Sequence, residues 1–324
     1  MEVRNNQNIL TLGFDSKVDY KIFAYYNNIF SISKNNIFLI IELNFSKTIY
    51  ITLPGAMYLL LIVSAIVNYK IKIGLNIETR ISNCSENIFN VLSSFGLIDM
   101  LKLYGNLKID AYSNALNENK TRFWKTSVKQ TDYNLNSIFW PIAIIPVKEG
   151  SSFEDEIKNF FNGFTTHLWL IIKYGFINNL NIEKIEFIKK DYISAINEAT
   201  KNVWDHSESW GIASIYSNRY QKTTFCIFDY GIGFINSYVK RKPSSKRTLK
   251  TDIQILNWLF KEGNTSDEIN NHGRGLAKIA KFTDNMKGTL LIRTDKYMLK
   301  YDCKNGLIIF EKTYFPGTQI MLNF

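Results

Sequence analysis

Cysteine is scarce: the 324 residues hold three, Cys84, Cys226 and Cys303, far apart along the chain. That spacing excludes a disulfide framework and a paired-cysteine metal site, and it fits a reducing compartment. The opening stretch MEVRNNQNIL lacks the apolar core of a signal peptide, so a cytoplasmic chain is expected. No internal repeat and no low-complexity tract occurs, which leaves ordinary globular domains. Long charge-free runs are nearly absent. Residues 48–69 carry no charge, about the length a spanning helix needs. Pro54-Gly55 interrupts that run near its start, leaving residues 56–67, which suit a buried core helix. No membrane partner is expected.

Apolar residues, by contrast, are plentiful. At 46% hydrophobic and 15% aromatic, the chain can build a core in each of two domains. Charged residues at 21% stand near the globular average and exclude wholesale disorder. The net charge of +10 and pI of about 9.2 favour anionic partners such as nucleotides, nucleic acid or acidic lipid. No nucleic-acid motif singles that partner out. Lysine spread through a chain this rich in Asn and Ile also fits an A+T-rich genome. The densest basic run lies at residues 240–250.

Along the first third, IFLIIELNF (residues 37–45) reads as a buried strand and ITLPGAM as a turn. MYLLLIVSAIVNY reads as an apolar helix, YKIKIGLNI as a half-exposed strand, and ENIFNVLSSFGLIDML as one amphipathic helix. The order strand, helix, strand, helix implies a βαβα unit with right-handed crossovers. Over residues 8–105 this succession resembles the STAS domain family, which implies a docking or scaffold module. Signalling members carry a phosphorylatable Ser just before the Gly of the turn. Here Pro54 stands there, with Leu53 before it, so the resemblance gives no phospho-switch at that place.

The expected organisation is a STAS-like domain at 1–110, a linker with a strand or two at 111–151, and an α/β domain at 152–324. In the last, a long amphipathic helix ending near Gly175 precedes a short strand, KIEFI, and a second helix, YISAINEATKNVWDHS. Strands GIASIYSN and TTFCIFDYG follow, then a polar region at 235–271. GRGLAKIAKFTDNM opens a third helix, and four strands close a mixed sheet with helices on one face.

Four groups of residues bear chemistry. Glu198, Asn202 and His206 fall at i, i+4 and i+8 on one helix and share a face. They put a carboxylate, a neutral amide oxygen and an imidazole in a row. Mg2+ takes a few protein oxygens and binds chiefly through substrate phosphates, a role that suits Asn202. Glu198 can accept a proton from an attacking water. An ordinary polar helix face would look the same. Second, Asp229 ends a strand, where a carboxylate can accept from an exocyclic amine such as that of adenine. Gly231 and Gly233 follow it and let the backbone approach a ligand closely; a plain Asp-Gly turn is the alternative. Third, Gly273, Arg274, Gly275 and Leu276 open a helix, and N–H groups there form a phosphate cradle, although Gly-rich loops before helices are common. Fourth, Thr318 after Gly317 opens the last strand, where its hydroxyl can support Asp229.

Taken in order, these segments resemble the GHKL superfamily of ATPases and kinases, over roughly residues 152–324. Glu198, Asn202 and His206 look like its N box, Asp229, Gly231 and Gly233 like its G1 box, and Gly273, Gly275 and Leu276 like its G2 box. The segment Glu262-Gly263-Asn264-Thr265-Ser266 is similar to the lid sequence preceding that last box. Ala277 departs from the pattern, where a further Gly is frequent. The resemblance implies an α/β (Bergerat) sandwich with ATP between sheet and a lid at 234–272. Asp229 would read the adenine amine, and Asn202 would hold Mg2+. Backbone amides at 273–276 would bind the phosphates. Three activities remain open: ATP hydrolysis that switches a protein partner or a homodimer, protein serine kinase activity of the anti-sigma type, and ATP-gated docking without turnover.

Overall fold

The computed structural model describes residues 1–6, 8–107, 137–145, 182–218, 222–241, 249, 251–261 and 275–324. The expected helix ending near Gly175, the linker up to residue 136, and Thr265, Gly273 and Arg274 lie outside the described residues, as does most of the basic run. The chain divides into two compact units, Met1–Gln130 and Thr131–Phe324, both mixing helices with sheet.

In the first unit, β1 (Glu2–Asn6) and β2 (Ile9–Gly13) form an antiparallel hairpin. Strands β2, β4 (Ile40–Asn44) and β6 (Glu78–Ser82) then run parallel, giving the order β1-β2-β4-β6. The short β3 (Lys17–Val18) and β5 (Tyr50–Ile51) pair separately. Helix α1 is Tyr26–Asn35 and α2 is Leu53–Lys72.

Pro54-Gly55 does not make the expected turn; it lies inside the first turn of α2. Thr52 caps that helix, its hydroxyl accepting from the Gly55 N–H at 3.1 Å, and proline is tolerated at this position because its missing N–H would have no partner. Gly55 is required by packing, since a Cβ there would stand 2.5 Å from the Val18 carbonyl oxygen. Residues 55–67 are all buried, as expected for a helix apolar all round. Among the described residues α2 is the one helix long and apolar enough to cross a membrane, and most of it is buried inside the fold.

Two further expectations change here. The alternating Lys and Ile of YKIKI extend α2 rather than forming a strand, and Gly74, at φ +82°, ends the helix. The single amphipathic helix is in fact two, α3 (Glu86–Ser94) and α4 (Leu97–Tyr104), parted at Gly96 with φ +74°.

The second unit holds a seven-stranded sheet ordered β12-β11-β10-β13-β9-β8-β7. Its strands are β7 (Ser137–Ile145), β8 (Gly211–Asn218), β9 (Lys222–Asp229), β10 (Thr289–Thr294), β11 (Tyr297–Asp302), β12 (Gly306–Glu311) and β13 (Thr318–Asn323). Every pairing among the described strands is antiparallel, so these strands do not form the expected mixed sheet. Part of the expected linker is thus an edge strand. Pro141 falls in the register shift between Trp140 and Ala143, where a missing donor is tolerated.

Helix α5 spans Ile182–His206 and absorbs KIEFI, which is no strand. Buried Tyr192, Ala195, Ile196, Ala199 and Val203 carry its apolar face onto Phe225 and Ile227 of β9 and Ile320 of β13. Helices α6 (Gly233–Arg241) and α7 (Asp252–Leu259) occupy part of the expected lid, and α8 (Gly275–Asn285) packs along α5. Tyr192 and Phe282 join those two helices with ring centroids 5.6 Å apart.

Candidate functional site

Asp229 ends β9 and is 3% exposed. Its Oδ1 accepts from the Gly231 N–H at 2.8 Å and the Thr318 N–H at 3.1 Å. The support from Thr318 therefore comes through its backbone rather than the expected hydroxyl. Oδ2 takes no hydrogen bond from another described residue. Behind the carboxylate, Gln319 Nε2 donates to the Asp229 carbonyl at 3.1 Å. Burial pushes the carboxyl up to about 7, although the two N–H bonds pull it down. The charge of Asp295 adds to the rise.

The two glycines after Asp229 answer to protein neighbours. A Cβ on Gly231 would lie 2.1 Å from the Ser207 carbonyl oxygen, just past the end of α5, and the Ile232 N–H donates to that same oxygen. Gly233 sits at φ +74°, and a Cβ there would meet the Asp295 carboxylate at 2.7 Å. Close packing of the β9–α6 turn onto α5 and the β10–β11 turn thus sets both positions. Gly317, at φ +78°, is pressed equally hard against Asp229 from the β13 side.

Asp295 is a buried acid that motif reasoning passed over. It lies in the β10–β11 turn, accepts from Asn236 Nδ2 at 3.1 Å and from the Thr294 hydroxyl at 3.2 Å, and is pushed up to about 6 by burial. The Phe234 N–H donates to Thr294 Oγ1 at 2.8 Å, so this turn caps the start of α6. No spacing rule links residues 294–295 to 233–236; sheet topology alone does.

Glu198 and Asn202 sit one turn apart on α5, as expected, and Asn202 is half-buried. Together with Ala199, Ser207, Asp229, Gly233, Phe234 and Thr318, Asn202 lines a cavity of about 10 Å³, room for about one water. Glu198 is tied elsewhere. Its Oε1 is 2.5 Å from Lys278 Nζ on α8, while Oε2 is buried without a hydrogen-bond partner among the described residues. Lys278 was not singled out in the sequence. Its only signal there is a position three residues beyond Gly275, and its partner is 80 residues away.

His206 is the last residue of α5, Gly275 the first of α8, and Leu276 is buried in the core below the sheet. The structure therefore brings Asn202, Asp229 and Thr318 to one cavity, while Glu198, one helical turn before Asn202, is not among its lining residues. Among the described residues no group of three or more His, Cys, Asp or Glu is placed to hold a metal ion. Asn202 offers Mg2+ one neutral oxygen, which fits an ion that draws its other ligands from phosphate and water. Compared with known protein families and with curated proteins, the chain matches none of them.

Proposed function

We propose that the second unit binds Mg-ATP in the manner of the GHKL superfamily and hydrolyses it slowly, with lid closure coupled to a protein partner or a second copy of the chain. The observation that carries this is Asp229: a buried carboxylate with one oxygen fixed by two backbone N–H groups and the other uncommitted. A purine amine supplies the missing donor. Asn202, across the same cavity, would hold Mg2+, which neutralises phosphate charge when bound. The phosphates themselves would lie toward the start of α8, over residues 273–276. A cavity of about 10 Å³ is too small for a purine ring, so binding requires Phe234, half-buried at the start of α6, to withdraw. In turnover, water attacks the terminal phosphorus, Glu198 accepts its proton, and the bond to the ADP oxygen breaks to give ADP and phosphate.

The first unit reads best as the STAS-like docking module of this pair. Its sheet order and the apolar helix between two parallel strands support that reading, while Pro54 leaves no acceptor hydroxyl at the family's place. ATP-gated docking without turnover is favoured by one observation, that Glu198 is held by Lys278.

Calorimetry with ATP and GTP tests the site. ATP should bind more tightly by about 1–3 kcal/mol, because the guanine carbonyl offers Asp229 no donor. Equal affinities would remove the adenine assignment. Phosphate release tests the chemistry: Glu198→Ala should keep ATP binding and lose about 10²–10⁴-fold in turnover. A variant that hydrolyses at the wild-type rate would show that Glu198 is not the base.

A further inference from the structure

The Glu198–Lys278 pair ties the proposed base to the helix that opens on the proposed phosphate cradle. The carboxylate is 16% exposed and the lysine 35%, so solvent screens the contact only partly. Lys278 stands at the end of the first turn of α8, where the helix dipole disfavours a cation; Glu198 supplies its counter-charge. Among the described residues the carboxylate is meanwhile satisfied on one side only, its Oε2 being buried and without a partner.

We propose that Lys278 is the counter-ion of Glu198 in the empty site and passes to the terminal phosphate of ATP when nucleotide binds. One lysine then senses that phosphate and releases the carboxylate in the same movement. The inference rests on the ATP reading above. The flexible four-carbon stem of lysine lets its head change partner without unpacking the helix. A terminal phosphate carries more charge than one carboxylate and outcompetes it as an acceptor. ADP lacks that phosphate and leaves the pair intact.

A double-mutant cycle on the full chain, read by calorimetry with Mg2+ and either ATP or ADP, tests the exchange. Lys278→Met should weaken ATP by about 10-fold to 150-fold and leave ADP affinity within about fivefold. Glu198→Gln should tighten ATP, since the lysine is no longer held, and that gain should vanish when Lys278→Met is also present. Should Lys278→Met not fold, Lys278→Gln replaces it. Equal losses for ATP and ADP overturn the proposal, as does a Glu198→Gln gain that survives removal of the lysine. If the wild-type chain binds neither nucleotide, the ATP reading fails and takes this one with it. If it binds both and Lys278 substitutions leave the balance between them untouched, only the ion-pair exchange falls.

Discussion

Burial and hydrogen bonding pull Asp229 in opposite directions, and burial wins, placing its carboxyl at about 7. In the unfolded chain the same group ionises near 4. Below that pH both states hold the proton and the burial carries no penalty. As pH rises toward 7 the unfolded chain gives up its proton while the folded one keeps it, so stability falls. Above 7 the loss levels off, at about 4 kcal/mol as an upper bound. The second unit should therefore unfold at higher temperature at pH 5 than at pH 8. Asp229→Asn cannot ionise; it should be more stable than wild type at pH 8 and lose most of this dependence. Asp295, raised to about 6, has the same sign and accounts for the part that remains. Thermal melts of both proteins at several pH values check this, and parallel profiles would deny Asp229 its role in the slope.

At the scale of elements, glycines separate two effects that sequence cannot. Gly74 needs its positive φ but has open space around it, so Gly74→Ala should cost about 1–2 kcal/mol from backbone strain alone. Gly231 has no positive φ, yet its Cβ would fall on a backbone carbonyl that cannot move aside. Gly231→Ala should cost more and pull the β9–α6 turn off the end of α5. Urea unfolding of each variant, followed through the transition of its own unit, measures both; a larger loss at Gly74 would reverse this ranking.

Much of the second unit was legible because its strands are bounded by turns and its helices α5 and α8 carry apolar residues at helical spacing. KIEFI misled because five residues alternate as well in a strand as in a helix. Only the longer register through Tyr192, Ala195 and Ala199 decides for helix. YKIKI misled in the same way at the end of α2. At the site, Asp229, Asn202 and Thr318 could be placed from motif order, but their partners could not. Lys278 reaches Glu198 across 80 residues, and Asp295 and Ser207 come to Asp229 across 66 and 22, through packing that local pattern does not encode.

For the molecule as a whole, the division into two units makes the nucleotide reading testable without cutting the chain. Every group assigned to ATP lies beyond residue 130, so ligand should stabilise the second unit and leave the first unit unchanged. Differential scanning calorimetry of the full chain should then show two transitions, only one of which moves with Mg-ATP. The gain follows from mass action and reaches about 2.7 kcal/mol when free ligand is 100 times its dissociation constant. Asp229→Asn should abolish most of that shift, because the adenine loses its acceptor. Asn202→Ala should abolish only the part that depends on Mg2+, leaving the shift seen with ATP and chelator intact. The net charge of +10 adds a general attraction for polyanions, so tripolyphosphate serves as the control. It can move either transition through charge alone, but its effect should fade with salt and be indifferent to Asp229→Asn. If ATP moves both transitions equally, or if tripolyphosphate reproduces the ATP shift at high salt, the base is not being read and the adenine site is wrong.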